Sequence, residues 1–244
     1  MSAATASRQH GAAAVTDARL VLATRSAGKV KELVPLMAAV GIHVVTLADL
    51  GVPESPEEDA LEVFDTFEGN ALAKARHFAR VTGTIVLADD SGLAVDALGG
   101  RPGVHSKRWS GRTDLDGAEL DAANNAFLQD ALRDAARDHV SVTATSRRAR
   151  YVCAAACAWR DGAEWHEAVV RGETTGQLLT VGRGSGGFGY DPYFLSDDLG
   201  ATFAEVGRDA KARVSHRGRA FAALLQQSTV RALVARLAAS QSRA

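Results

Sequence analysis

Thr84-Ile85-Val86-Leu87-Ala88-Asp89-Asp90-Ser91-Gly92 sets an unbroken apolar run against two adjacent carboxylates and a small, turn-forming pair. The apolar part reads as a strand buried on both faces, as in the sheet of an α/β protein. Asp89 and Asp90 then fall at its carboxyl end, where such sheets place ligands. Adjacent carboxylates repel, and a hard divalent cation relieves the repulsion. Consecutive strand residues point to opposite sides, so only one of the two need face a metal directly. Asp-Asp-Ser-Gly is also good turn chemistry, and alone it is more often a turn than a site.

Reading outward, Arg19 to Ala23 is a second short apolar run. It ends in a polar turn, Thr24 to Gly28, before Val30, Leu33, Val34 and Met37 at helical spacing. Ile42 to Thr46 reads as another strand. Thr66 to Arg80 is an amphipathic helix with Ala71, Ala75, Phe78 and Ala79 on one side and Lys74, Arg76 and His77 around it. A further helix covers about 116 to 138. The β-prone segments 150–159 and 165–173 flank Asp161-Gly162 as in an antiparallel hairpin, and 215–239 returns to helical spacing. Strand-helix units followed by a hairpin and terminal helices predict an α/β fold with a mixed sheet.

With 244 residues, 46% of them apolar, the chain can bury one sizeable core, divided or not into two lobes. Its 28 basic and 29 acidic residues nearly cancel, so no global field favours nucleic acid or an anionic membrane. A phosphate ligand must be held by a local site. Cys153 and Cys157 lack the partners of a zinc site or a disulfide framework, which suits a reducing cytoplasm. Residues 1–18 lack a secretory pattern and read as a disordered leader; 139–148 reads as an exposed insertion. No apolar run is long enough to span a membrane.

Three further segments carry chemistry. Thr24-Arg25-Ser26-Ala27-Gly28-Lys29 opens a helix with backbone donors, hydroxyls and a lysine, which a polyphosphate needs. It is not a P-loop, because Ala23 and Val30 stand where that motif requires glycine and a hydroxyl. Gly182 to Gly187 leads into Phe188-Gly189-Tyr190-Asp191-Pro192, where aromatics can stack on a base and Asp191 can read its edge. Ser215-His216-Arg217-Gly218, with Lys211 one turn earlier, could hold phosphate or base carbonyls. Read singly, a cap, a flexible loop and a solvated basic face explain them as well.

Together and in this order, these segments, with Thr66-Phe67 to Asn70-Ala71, resemble the inosine triphosphate pyrophosphatase family. Val95 to Ser106 is similar to that family's loop after the acidic motif. The resemblance implies a long central mixed sheet between two lobes spanning 19–240, a nucleotide in the cleft, Mg²⁺ as cofactor and a homodimer. It implies that Thr24 to Lys29 wrap the triphosphate, that Asp90 is metal ligand and proton acceptor, and that Ser91 touches substrate. It makes Glu62 a second metal ligand, with Asn70 ordering the metal site and Asp89 as support. Phe188, Gly189, Tyr190 and Asp191 would enclose the base, and Lys211, His216 and Arg217 complete the nucleotide contacts.

The implied reaction is attack of water on the α-phosphorus with pyrophosphate leaving, Mg²⁺ lowering the water's pKa. The implied substrates are the purine triphosphates ITP, dITP and XTP, whose 6-oxo group suits a donor where adenine carries an amino group. Two alternatives are a house-cleaning pyrophosphatase for modified pyrimidine or methylated nucleotides, and a nucleotide sensor without turnover. The chain departs from the family pattern in three places. Arg25 and Ser26 replace Gly-Asn in the first loop, Gly69 replaces a frequent acid before Asn70, and Glu62 lacks the usual neighbouring glycine.

Overall fold

The computed structural model describes residues 19–137 and 146–241. The leader 1–18 and residues 139–145 of the insertion lie outside the described residues. Of the rest of the insertion, Arg147 is half-buried, donating to Leu178 O at 2.6 Å, and Arg148 opens a strand.

Six strands form one mixed sheet in the order β2-β1-β3-β4-β5-β6. They are β1 (Leu20–Ala23), β2 (Val44–Thr46), β3 (Ile85–Val95), β4 (Arg148–Asp161), β5 (Glu164–Leu178) and β6 (Phe194–Ser196). Pairs β1–β2 and β1–β3 are parallel; β3–β4, β4–β5 and β5–β6 are antiparallel. The helices are α1 (Ala27–Ala38), α2 (Phe67–Thr82), α3 (Gly117–Arg137), α4 (Arg208–Val214), α5 (His216–Gln226) and α6 (Ser228–Gln241). The predicted hairpin is present and longer than the sequence indicated, turning at Gly162 with φ 59°. The predicted tail helix divides at Gln227 into α5 and α6.

One expectation is overturned. Asp89-Asp90-Ser91-Gly92 is neither a turn nor the end of a strand but the middle of the eleven-residue β3. Strand β4 supplies the missing pairing, with Asp89 opposite Ala155 and Asp90 opposite Ala154, so the backbone stays extended. The other edge differs. Strand β1 stops at Ala23, opposite Ala88, and among the described residues no strand covers β3 on that side from Asp89 to Leu93. The acids therefore lie at the carboxyl end of the parallel part of the sheet while remaining inside an antiparallel part.

Alternation along β3 and β4 sorts their side chains into two layers. Ile85, Leu87, Cys153 and Cys157 pack with Leu33, Phe221 and Leu224 beneath α1, α5 and α6. Val86, Ala88, Ala154 and Ala156 pack with Ala71, Ala75 and Phe78 beneath α2. A third cluster, including Leu93, Leu128, Tyr151, Phe194 and Phe203, surrounds the far half of β3 with α3 and β6. The alanines of β4 let α2 approach closely on one side. On the other, a Cβ at Gly172 would stand 2.4 Å from Ala220 N, so glycine there lets α5 lie directly on β5.

Candidate functional site

The site gathers where β1 ends. Ser26 caps α1, its hydroxyl accepting from Lys29 N at 3.4 Å, and the positive end of the helix dipole points past Thr24 towards β3. Lys29 reaches across the gap, with Nζ 2.9 Å from Asp89 Oδ2 and 3.4 Å from Asp89 O. From α5, Arg217 places Nε 3.4 Å from Asp89 Oδ2 and donates through Nη2 to Ser91 Oγ at 2.8 Å. Asp89 and Ser91 share one face of the strand, as residues two apart must.

Asp90 faces the other way. Asn70 Nδ2 donates to its Oδ2 at 3.0 Å, and Lys74 Nζ lies 3.3 Å from Oδ1. The same ammonium donates to Glu62 Oε1 at 2.9 Å, so it stands between two carboxylates. Glu62 ends a 3₁₀ helix, Pro56–Glu62, and its second oxygen lies 3.6 Å from Arg108. The predicted asymmetry of the acidic pair is thus a difference of layer: Asp89 belongs to α1 and α5, Asp90 to α2.

The base-binding candidates form the wall behind. Asp191 accepts from Phe188 N at 2.9 Å, from Tyr151 OH at 3.3 Å and from the Lys211 ammonium. Asn125 and Asp121 of α3 fix Gly189, donating to its carbonyl at 2.9 Å and accepting from its N–H at 2.7 Å. The hydroxyl of Tyr190 is occupied by Ser106 O at 2.8 Å, which makes Tyr190 a support for the loop. The Phe188 ring covers Gly28 so closely that a Cβ there would be 2.8 Å from it, and Lys211 and Arg217 each lie 5.2 Å from the ring centroid.

Not every predicted contact converges. Arg25 turns away from β3 to Glu58, Val52 O and Pro53 O, because those acceptors satisfy its planar fork. Lys74, placed by the sequence around the apolar side of its helix with no role at the site, is buried and faces two carboxylates. Glu32 was missed altogether. It joins Lys211 Nζ at 2.6 Å to Arg217 Nη1 at 2.8 Å. Helical spacing carried both signals: Lys74 lies four residues after Asn70, and Glu32 three after Lys29, on the same faces.

The electrostatics are those of a buried, crowded site. Burial pushes the Asp89 carboxyl up, but Lys29, then Arg217 and Lys74, overcome it and hold it far below the usual range. Glu32 is likewise opposed by burial and held low by Arg217 and Lys211. Burial raises Asp191, only partly countered by Lys211. His216 is driven well below its ordinary value by burial and by the charges of Arg217, Lys211 and Lys29, so its ring is neutral. It stacks on Tyr151 at 4.6 Å, and neither ring nitrogen has a partner among the described residues; Asp89 Oδ1 is also unpartnered.

Among the described residues no three His, Cys, Asp or Glu side chains cluster as a metal-ligand set. Glu62 and Asp90 form a pair around one ammonium. A pair fits Mg²⁺, which keeps several waters and takes one or two carboxylates together with substrate phosphates. Charge balance points the same way. Lys29, Lys74, Arg108, Lys211 and Arg217 are matched one for one by Glu32, Glu62, Asp89, Asp90 and Asp191. The site has no surplus positive charge for a polyphosphate, and a divalent cation would supply it.

A mixed α/β sheet carries a helix N-terminus, a lysine and a split acidic pair at the end of its parallel part, a set of groups suited to a phosphorylated ligand with its metal. The chain belongs to the Ham1 family, whose model matches residues 20–227. It is 43% identical over 208 residues to the dITP/XTP pyrophosphatase of Thermus thermophilus, covering 85% of this chain and 90% of that one. It is 47% identical over 203 residues to the dITP/XTP pyrophosphatase of Frankia alni, covering 83% and 93%. Among solved structures it is similar to a HAM1 protein from Coxiella burnetii, at 32% identity and TM-score 0.68, covering 85% and 96%. It is also similar to a nucleoside-triphosphatase, dITP/XTP pyrophosphatase, from Mycobacterium abscessus, at 41% identity and TM-score 0.59, covering 86% and 100%.

Proposed function

We propose that this chain hydrolyses the non-standard purine nucleoside triphosphates ITP, dITP and XTP to the monophosphate and pyrophosphate, in a Mg²⁺-dependent reaction that clears them from the nucleotide pool. The observation that carries this reading is the split of Asp89 and Asp90 across β3 at its uncovered edge. Asp89 anchors the cations that would meet phosphate; Asp90, held by Asn70 and Lys74 beside Glu62, is the acid placed for metal and water. Membership of a family whose relatives are named dITP/XTP pyrophosphatases supports it.

The triphosphate is received by the backbone of Thr24 to Gly28 at the α1 N-terminus and by Lys29, with Arg217 and Ser91 beside them. Glu62 and Asp90 would hold Mg²⁺, whose chemistry when bound would be to screen the phosphate charge and acidify water. Asp90, oriented by Asn70 Nδ2 and Lys74, takes the proton from the water that attacks the α-phosphorus. Lys74 keeps its charge despite burial, because Asp90 and Glu62 oppose the desolvation, and it stabilises charge developing on the phosphoryl oxygens.

The base lies against Phe188 and beside His216, Asp191 and Lys211. Two of the three Lys211 donors are taken by Glu32 and Asp191. The third is left for a 6-oxo group, which accepts where the amino group of adenine would set donor against donor. A single domain of two lobes over 19–240, a homodimer and a cytoplasmic location complete the proposal, on the family resemblance. No helix among the described residues is long and apolar enough to cross a membrane.

The test is Mg²⁺-dependent pyrophosphate release measured across ITP, dITP, XTP, GTP and ATP. Release from the first three, well above GTP and ATP, is expected. Preference for a modified pyrimidine or methylated nucleotide would replace the substrate assignment, and tight ITP binding without release would replace the enzyme with a sensor.

A further inference from the structure

Arg25 sits in the loop that receives phosphate, yet its whole side chain serves another segment. Its guanidinium grips Glu58 in a fork, Nε to Oε2 at 3.0 Å and Nη2 to Oε1 at 2.7 Å. It also donates to Val52 O at 2.9 Å and Pro53 O at 2.8 Å, and lies 5.7 Å from the Phe78 centroid. These contacts fix the approach to the Pro56–Glu62 helix and its first turn. Glu58 is at the same time the residue whose carboxylate accepts from Ser55 N at 3.2 Å to start that helix.

The helix needs such a tie. It contains no fully buried side chain, and Leu61 alone rests partly on the apolar layer beneath α2. Its far end carries Glu62 to Lys74 and thereby to Asp90. The neighbouring position cannot supply that acid, since a Cβ at Gly69 would stand 2.8 Å from Phe64 Cβ and 2.9 Å from Thr66 Oγ1. Polar contacts at its two ends, Arg25 at the start and Lys74 with Arg108 at the end, set where Glu62 lies.

We infer that Arg25 is a positioning residue for the metal site: by clamping Glu58 it holds the Pro56–Glu62 helix so that Glu62 meets Asp90, and it couples the phosphate loop to the acid that completes the site. This inference rests on the reading of Glu62 and Asp90 as the Mg²⁺ pair. Bidentate geometry and two carbonyl contacts are beyond a lysine, so Arg25→Lys should retain only part of the effect.

The experiment compares wild type, Arg25→Ala, Arg25→Lys and Glu58→Gln by Mn²⁺ titration followed by electron paramagnetic resonance, without nucleotide. Amide exchange of metal-free protein is measured over 54–64 and over β3. Loss of a partner that orients a metal ligand weakens metal binding by about tenfold or more. Arg25→Ala and Glu58→Gln should therefore weaken Mn²⁺ about tenfold, Arg25→Lys less, with faster exchange confined to 54–64. Unchanged Mn²⁺ affinity in Arg25→Ala, or exchange accelerated equally in β3, would overturn the clamp. Wild type that binds Mn²⁺ through Glu62 but releases no pyrophosphate would refute the hydrolase reading and leave the clamp standing.

Discussion

Replacing Asp89 by Asn removes one charge and almost no volume from a position that is 1% exposed. The lost carboxylate is the counter-charge of Lys29 at 2.9 Å and of Arg217 at 3.4 Å. Breaking a buried ion pair by removing one partner costs about 3–5 kcal/mol. Here the cost is lower for two reasons. Arg217 keeps Glu32 and Ser91, each at 2.8 Å, and the Lys29 side chain retains 15% exposure through which water can solvate it. We expect about 2 kcal/mol, which for a chain of this size lowers Tm by about 4–8 °C. The assay is thermal unfolding of both proteins without nucleotide at fixed ionic strength, repeated across pH. The sign follows from the direction of the shift. A carboxyl held below its unfolded value stabilises fully above that value, near pH 4, and the contribution is lost as pH falls through the folded value. The Tm gap should be constant at neutral pH and narrow below about pH 4. Equal Tm values at neutral pH, or a gap that widens on acidification, would mean that Asp89 is not the stabilising counter-charge of Lys29 and Arg217.

Gly92→Ala would put a Cβ 2.3 Å from Gly103 O and 2.4 Å from Ser106 Oγ, the hydroxyl that binds Leu93 N. Overpacking of this kind costs about 1–3 kcal/mol, read as a lower denaturant midpoint. His216→Phe removes two unpartnered buried nitrogens and keeps the stack on Tyr151, so Tm should hold or rise while KM for ITP increases; a fall in Tm with unchanged KM would contradict that role. Asp90→Asn should cut kcat by about 10²–10⁴, while Tm falls no further than in Asp89→Asn because Lys74 keeps Glu62 at 2.9 Å; steady-state kinetics and thermal unfolding check the two together.

The sequence made the scaffold legible where one signal dominated. Leu20 to Ala23, the helical spacing after it and the Asp161-Gly162 turn each gave the observed element, because local pattern and tertiary packing agree there. It misled at Asp89 to Gly92. Four turn-forming residues are held extended by β4 on one side, and that pairing joins distant parts of the chain, Asp89 with Ala155 and Gly92 with Val152, beyond the reach of a local pattern. The same limit governed the site. Lys29, Asp90 and Arg217 were legible as chemistry, whereas Glu32 and Lys74 are charged residues on amphipathic helices, ordinarily solvated, and only the fold brings opposite charges to them. Arg25 was legible as a departure, but its partner Glu58 lies 33 residues away in a segment without periodicity.

The proposed reaction is attack of water on the α-phosphorus of a non-standard purine triphosphate. It is tested most directly by running the Mg²⁺ reaction on dITP in heavy-oxygen water and assigning the label by phosphorus NMR. Equal amounts of monophosphate and pyrophosphate are expected, with the heavy oxygen in the monophosphate alone. Orthophosphate and diphosphate as products, or label in the pyrophosphate, would contradict it.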